Sequence, residues 1–418
     1  MTGIIDYART ELRPFSELPF NEIDALIIAT LIYEDVANIC PTLMLDEQQQ
    51  SGSFATRIRA FEPEHPLIWL KGLWHPAMES ISLKEANQEL HRSIDTSEDD
   101  KPHEAQMVSV IDPHLTHTLF EEAGNNPRFT GIQLGAVVEH VNRGEQTQFA
   151  AATFQLPDGR NRRNPTHKGT MVLSFRGTDD SLIGWKEDFN MAFQYPVPAQ
   201  RAASAYLDTV ARLWDGPIVL VGHSKGGNLA VYAAANVPSE IQERIAVVYS
   251  HDGPGFDEAF FDEDGYVRIA SKIHKSVPGS SIIGMLFETR EHVEDGYTVV
   301  SSDGASIMQH FALHWQVDHG QFVQADGLTS SAQYLARTIN GWMAKYDDEH
   351  RRKFIENLFA IFEAGGYATF GDLTSHLTQS LPVMLAAARN IDVEDRDVMI
   401  EVLKGFAATA ATSVISAK

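Results

Sequence analysis

The run IVLVGHSKGGNLAVYAAANV, residues 218–237, carries one serine at the point where a short apolar stretch meets an alanine-rich one. Gly222-His223-Ser224-Lys225-Gly226 has the form G-x-S-x-G. Between a buried strand and a helix, this spacing reads as a nucleophile elbow. The serine occupies a sharp turn that lifts its hydroxyl above the sheet, and the flanking glycines let strand and helix approach closely. The turn also aims the Lys225 amide at the place where an oxyanion would form. A serine hydroxyl is a weak nucleophile without a base to take its proton. The pattern therefore calls for a histidine, a carboxylate to orient it, and a second oxyanion donor. The expected chain order is serine, acid, histidine.

The second donor is expected at Thr178, just past the apolar run TMVLSFRG, where both an amide and a hydroxyl are on offer. A structural role for Thr178 is to cap the turn at Asp179-Asp180. For the acid, RIAVVYSHDGPGF places Asp252 just past the strand that follows the elbow helix. Open α/β sheets react at the carboxyl ends of their strands. Asp257 and the remote Asp303 are the alternatives. Asp252 would otherwise cap the glycine-proline turn. His223 reads as a packing or hydrogen-bonding residue. His251, His274, His292, His310, His314 and His319 remain as bases, with His310 and His314 close enough to share a helical face.

Several segments together resemble a known family. They are SELPFNEIDALII, FRGTDDSLIGWKEDFNM, VGHSKGGNLAVYAA, DGPGF, VPGSSIIGMLFE and a Gln309-His310 pair ahead of Trp315. Across roughly residues 4–320 they resemble the Mbeg1-like bacterial proteins, and Phe175 to Thr178, Trp185 and Asp188 with the elbow are similar to class 3 lipases. The resemblance implies an α/β-hydrolase acting on a carboxylic ester, with His310 as base. One departure stands out. Class 3 lipases place their acid after a later strand, where this chain has Val277-Pro278-Gly279-Ser280-Ser281. Serine cannot balance an imidazolium, so either the site runs as a dyad or the acid comes from elsewhere, and Asp252 is the candidate, at a position that resembles the acid of pancreatic-type lipases. Ser280 and Ser281 are not expected to replace Asp252, and exchanging Ser281 for alanine is expected to cost little. The substrate implied is a small-molecule or lipid ester. A thioester or amide hydrolase, or an inactive scaffold that binds a lipid or protein, are the competing readings.

These residues need a scaffold. Residues 129–156 read as two strands, and TMVLSFRG, PIVLVG and RIAVVYS alternate with helical stretches. A fourth strand is expected around Val267 to His274. Strand-helix alternation of this kind predicts an α/β fold: an α/β-hydrolase-like, mostly parallel sheet with helices on both faces. Near the start, Asn21 with Asp24 three residues on predicts a capped helix. From about Leu328 four helical segments follow, broken at Gly365-Gly366 and Asn390, with Pro382 interrupting or starting one. The expected division is a mainly helical part over 1–125, a hydrolase core over 126–325 and a helical segment over 326–418.

The chain has 418 residues and 43% hydrophobic content, which suits one large core or two modest ones. Its formal charge of -24 opposes nucleic acid and anionic membranes. With the single Cys40, no intrachain disulfide can form, which fits a reducing compartment. The start lacks a secretory pattern and no segment reads as transmembrane, so a cytoplasmic location is expected. No dinucleotide fingerprint follows a strand. His114 and His117 lack a convincing third metal ligand, and no cofactor or metal is expected. The polar stretches 95–106 and 157–169 read as exposed loops, the second with a cluster of positive charge.

Overall fold

A computed structural model describes residues 2–43, 78–95, 113–142, 147–157, 169–178, 182–287, 296–304, 306–367, 376–387 and 396. Most of the two polar stretches, residues 143–146 of the turn that joins the two strands of 129–156, and most of the last helical segment lie outside these residues. The strands are β1 (Thr2–Gly3), β2 (Ser80–Ser82), β3 (Gln133–Asn142), β4 (Thr147–Gln155), β5 (Met171–Phe175), β6 (Ile218–His223), β7 (Ile245–His251), β8 (Ile273–Pro278), β9 (Tyr297–Val300), β10 (Gln316–Asp318) and β11 (Gln321–Phe322). The longer helices are α1 (Ile4–Thr10), α2 (Glu22–Leu31), α3 (Leu83–Asp95), α4 (Pro113–Asn125), α5 (Leu182–Asn190), α6 (Pro198–Leu213), α7 (Lys225–Ala235), α8 (Ser330–Lys345), α9 (Asp348–Ala364) and α10 (Leu377–Ala387).

Eight strands pair in the order β2-β3-β4-β5-β6-β7-β8-β9, antiparallel as far as β5 and parallel from β5 to β9. The central strands are apolar on both faces because both are covered. On one side Leu26, Ile27, Phe120 and Phe129 pack with Val172 and Val221. On the other, Tyr206, Leu207, Leu229 and Ala233 of α6 and α7 meet Leu173 and Leu220. This is an α/β-hydrolase-like sheet with added terminal helices.

The start of α2 is built as its sequence predicts. Asn21 Oδ1 accepts from the amides of Ile23 and Asp24, while Asp24 Oδ2 accepts from the Asn21 amide. Arg128 grips the fully buried Asp24 with two nitrogens, at 2.9 and 2.5 Å, and so docks α2 on the sheet.

The fourth strand differs from expectation. Residues Asp264–Ile269 are helical and the strand begins at Ile273. Tyr266 and Ile269 are buried three positions apart, so helical spacing prevails over the β-branched character of the segment. Pro382 lies inside α10 rather than at an end. The C-terminal helices pack against the strand-end loops: Trp342, Phe354, Leu358 and Phe359 join Leu182 and Trp185 of α5 and Ile283 after β8. Asn340 ties α8 to that loop, donating to Met285 O at 2.9 Å and accepting from Phe287 N at 3.0 Å.

Candidate active site

Ser224 stands between β6 and α7 with φ 57° and ψ -134°, a backbone state costly for a side-chain-bearing residue. Two close approaches hold it there. A Cβ on Gly222 would lie 2.0 Å from Gly226 O, and one on Gly226 would lie 2.0 Å from Phe175 O. Only glycine fits either place, so strand, turn and helix lock together. The Ser224 amide donates to His251 O at 2.9 Å, tying the turn to the end of β7.

Asp252 follows directly on β7, fully buried, with φ 49°. Its Oδ2 lies 2.6 Å from His310 Nδ1. Its Oδ1 accepts from the Ser281 hydroxyl at 2.5 Å and the Gly284 amide at 3.2 Å. Ser281 is thus a hydrogen-bond partner of Asp252 rather than a replacement for it, a contact that the sequence pattern does not report. The cause is register: β7 and β8 run parallel with His251 opposite Ser276, which brings both strand ends together.

His310 closes a short 3-10 turn, Ser306–His310, that is fixed from three sides. His223 Nε2 donates to His310 O at 2.7 Å, Trp315 Nε1 donates to Gln309 O at 2.9 Å, and Ser280 N donates to Gln309 Oε1 at 2.7 Å. These contacts account for Gln309 and Trp315 in the sequence pattern. The rings of His223 and His310 lie 4.6 Å apart. The Ser224 hydroxyl and the other His310 nitrogen make no hydrogen bond to each other among the described residues.

The remaining histidines divide by environment. Burial, with His310 nearby, lowers the His223 pKa to about 3, and burial lowers that of His251 to about 3 as well. Both are neutral near pH 7 and too weakly basic for the work of a base. His251 Nδ1 pairs with Ser276 Oγ at 2.7 Å. His274 and His319 are exposed, and His292 lies outside the described residues. Asp257 caps a turn, its Oδ1 accepting from the Ala259 amide at 2.9 Å. Asp303 accepts from the Gln316 side chain.

The other side of the elbow is charged. The Lys225 side chain is 1% exposed and reaches Glu187 Oε2 at 2.8 Å and Asp188 Oδ1 at 3.4 Å, both on α5. Glu187 also accepts from the amides of Gln148, at 2.9 Å, and Ala199, at 3.2 Å. Thr178 follows β5, and its hydroxyl donates to Asp188 Oδ2. That hydroxyl is therefore committed to Asp188. Burial pushes the Asp188 pKa up to about 6, against the opposing pull of Lys225. Sequence reasoning missed Glu187, although it lies in the quoted segment WKEDF.

Among the described residues no group of three or more His, Cys, Asp or Glu side chains is arranged to hold a metal ion. No helix among them is long and apolar enough to cross a membrane.

A serine at the turn between strand and helix, on a mostly parallel sheet flanked by helices, matches an α/β-hydrolase-like fold. The Mbeg1-like family model matches residues 123–360, more than half of the sequence, and the chain belongs to that family. Among solved structures it is similar to a Rhizomucor miehei lipase propeptide complex, at 15% identity and a TM-score of 0.28, over 41% of this chain and 57% of that one. It thus spans little more than half of that lipase chain. It is also similar to M37 lipase, at 12% identity and a TM-score of 0.36, over 79% of this chain and 82% of that one. No curated protein matches it.

Proposed function

We propose that this chain is a serine hydrolase of carboxylic esters that works through Ser224, His310 and Asp252. The observation that carries the reading is the 2.6 Å contact between Asp252 Oδ2 and His310 Nδ1 beside the strained elbow. Asp252 accepts a hydrogen bond from Nδ1–H, which leaves Nε2 free to act as the base. As the ester enters, Nε2 takes the Ser224 proton and Oγ adds to the carbonyl carbon. The carbonyl oxygen gains the electron pair and meets the amides of Lys225 and Thr178. Collapse of the adduct breaks the bond to the alkoxy group, which leaves with the proton from His310. Water then adds to the acyl-enzyme by the same route and releases the acid.

The open Ser224–His310 contact fits this scheme, since catalytic hydrogen bonds in unliganded sites commonly tighten only when substrate is bound. Asp252 stabilises the imidazolium that forms at each proton transfer. His223 holds the His310 backbone and carries no proton in the reaction. Replacing Ser224 by alanine should abolish hydrolysis of short p-nitrophenyl esters with the fold intact. Unchanged turnover in that variant would end the assignment.

A further inference from the structure

Two amides, from Lys225 and Thr178, supply the oxyanion contacts in the proposed reaction. Helix α2 brings a further polar atom to the same corner. Beyond its last turn, Tyr33 N donates to Thr30 O at 3.1 Å, and the Tyr33 side chain is buried. Its phenol oxygen sits against Gly177, the residue before Thr178. A Cβ on Gly177 would lie 2.2 Å from that oxygen, 2.7 Å from His223 O and 3.1 Å from Ser224 Cβ. The phenol oxygen and Ser224 Cβ are thus no farther apart than the first and last of these lengths laid end to end. That places the hydroxyl within reach of an atom bound to the ester carbon once Ser224 has added to it.

Other polar groups of this region build and dock the helix. Asn21 and Asp24 cap it, Asp24 also binds Arg128, and the Thr30 hydroxyl returns to Leu26 O at 2.7 Å. The Tyr33 hydroxyl lies instead at the junction of the turn after β5 and the elbow. The absence of a side chain at Gly177 is what admits it. The helix that carries it is fixed at its start by a capping box and held to the sheet by a buried ion pair, so the phenol is preorganised.

We propose that Tyr33 is a further catalytic residue: its phenol O–H donates a hydrogen bond to the oxyanion formed when Ser224 adds to the ester carbonyl. The proton stays on the phenol, and the bond strengthens as negative charge gathers on the former carbonyl oxygen. In a water-poor site such a donor acts mainly on the transition state. This proposal rests on the serine hydrolase reading above.

The test is Tyr33→Phe, which keeps the ring and removes one oxygen. With a p-nitrophenyl ester, kcat should fall about 100-fold while KM moves little, in line with loss of one oxyanion donor. The thermal midpoint should stay close to wild type. On a thionoester of the same acid the defect should shrink to a few-fold, because sulfur accepts hydrogen bonds weakly; a purely structural role would slow both substrates alike. A kcat within two-fold of wild type, an equal loss on both substrates, or a loss accompanied by a lowered midpoint would overturn the proposal. Ser224→Ala is run beside it. If Ser224→Ala keeps wild-type activity, both readings fall; if it is inactive and Tyr33→Phe is not impaired, only the role of Tyr33 falls.

Discussion

Buried carboxylates flank the elbow on both sides, and they are held in different ways. On the α5 side, Glu187 and Asp188 face the ammonium group of Lys225 at 2.8 and 3.4 Å. Positive charge is present there in the resting protein. On the β7 side, Asp252 is held by a hydroxyl, an amide and an imidazole, with no lysine or arginine bonded to its carboxylate among the described residues. In the proposed reaction its counter-charge arrives only when His310 takes a proton. In the proposed reaction the difference separates two jobs that similar residues perform: the first network would keep the turn after β5 in place, and the second would answer a charge that exists for part of each turnover.

The largest effect that would sharpen this contrast is on the β7 side. Asp252→Asn should retain the fold and lower kcat by roughly 10³ to 10⁴, the loss seen when a triad aspartate is neutralised in serine proteases. Full activity in this variant would erase the distinction. On the α5 side, Lys225→Met should act first on stability. It leaves two carboxylates without their ammonium partner, and breaking a buried pair in this way costs about 3 to 5 kcal/mol. Denaturant unfolding would show this as a lower midpoint.

Asp188 gives the α5 side a pH signature. Its pKa is about 6 in the folded chain against an ordinary 3.8. Between those values the folded form keeps a proton that the unfolded form has lost. Stability should therefore fall as pH rises from about 4 to 6 and then level off. Asp188→Asn should remove that decline, by at most about 3 kcal/mol. Parallel unfolding curves for the two proteins across this range would contradict the assignment. The smallest effect belongs to Ser281→Ala, which removes one of three contacts to Asp252. Turnover should drop about ten-fold, the scale of one hydrogen bond to a charged group, and a loss as large as that of Asp252→Asn would mean that Ser281 does more than hold the carboxylate.

How much of this was legible in the sequence depends on how local each constraint is. The elbow was, because Gly222, Ser224 and Gly226 impose their steric demands within five residues. The capped start of α2 was, because Asn21 and Asp24 bond across one turn. The sheet was readable from apolar runs broken by helical spacing, although Tyr266 and Ile269 turned the expected fourth strand into a short helix followed by β8. The contact of Ser281 with Asp252 was not legible, because it depends on the register of two parallel strands, which no local pattern reports. Glu187 and Tyr33 were missed for a similar reason. Each reaches the elbow from an element distant in sequence, Glu187 from α5 and Tyr33 from the turn after α2, and local pattern marks it only as buried.

The most direct test of the central claim is labelling with a fluorophosphonate, which reacts with a serine hydroxyl activated by a base. The intact protein would be treated with the probe, digested and mapped by mass spectrometry, with Asp252→Asn treated in parallel. The account predicts one adduct, on Ser224, formed much more slowly in Asp252→Asn. No adduct on Ser224, or one formed equally fast in both proteins, would contradict it.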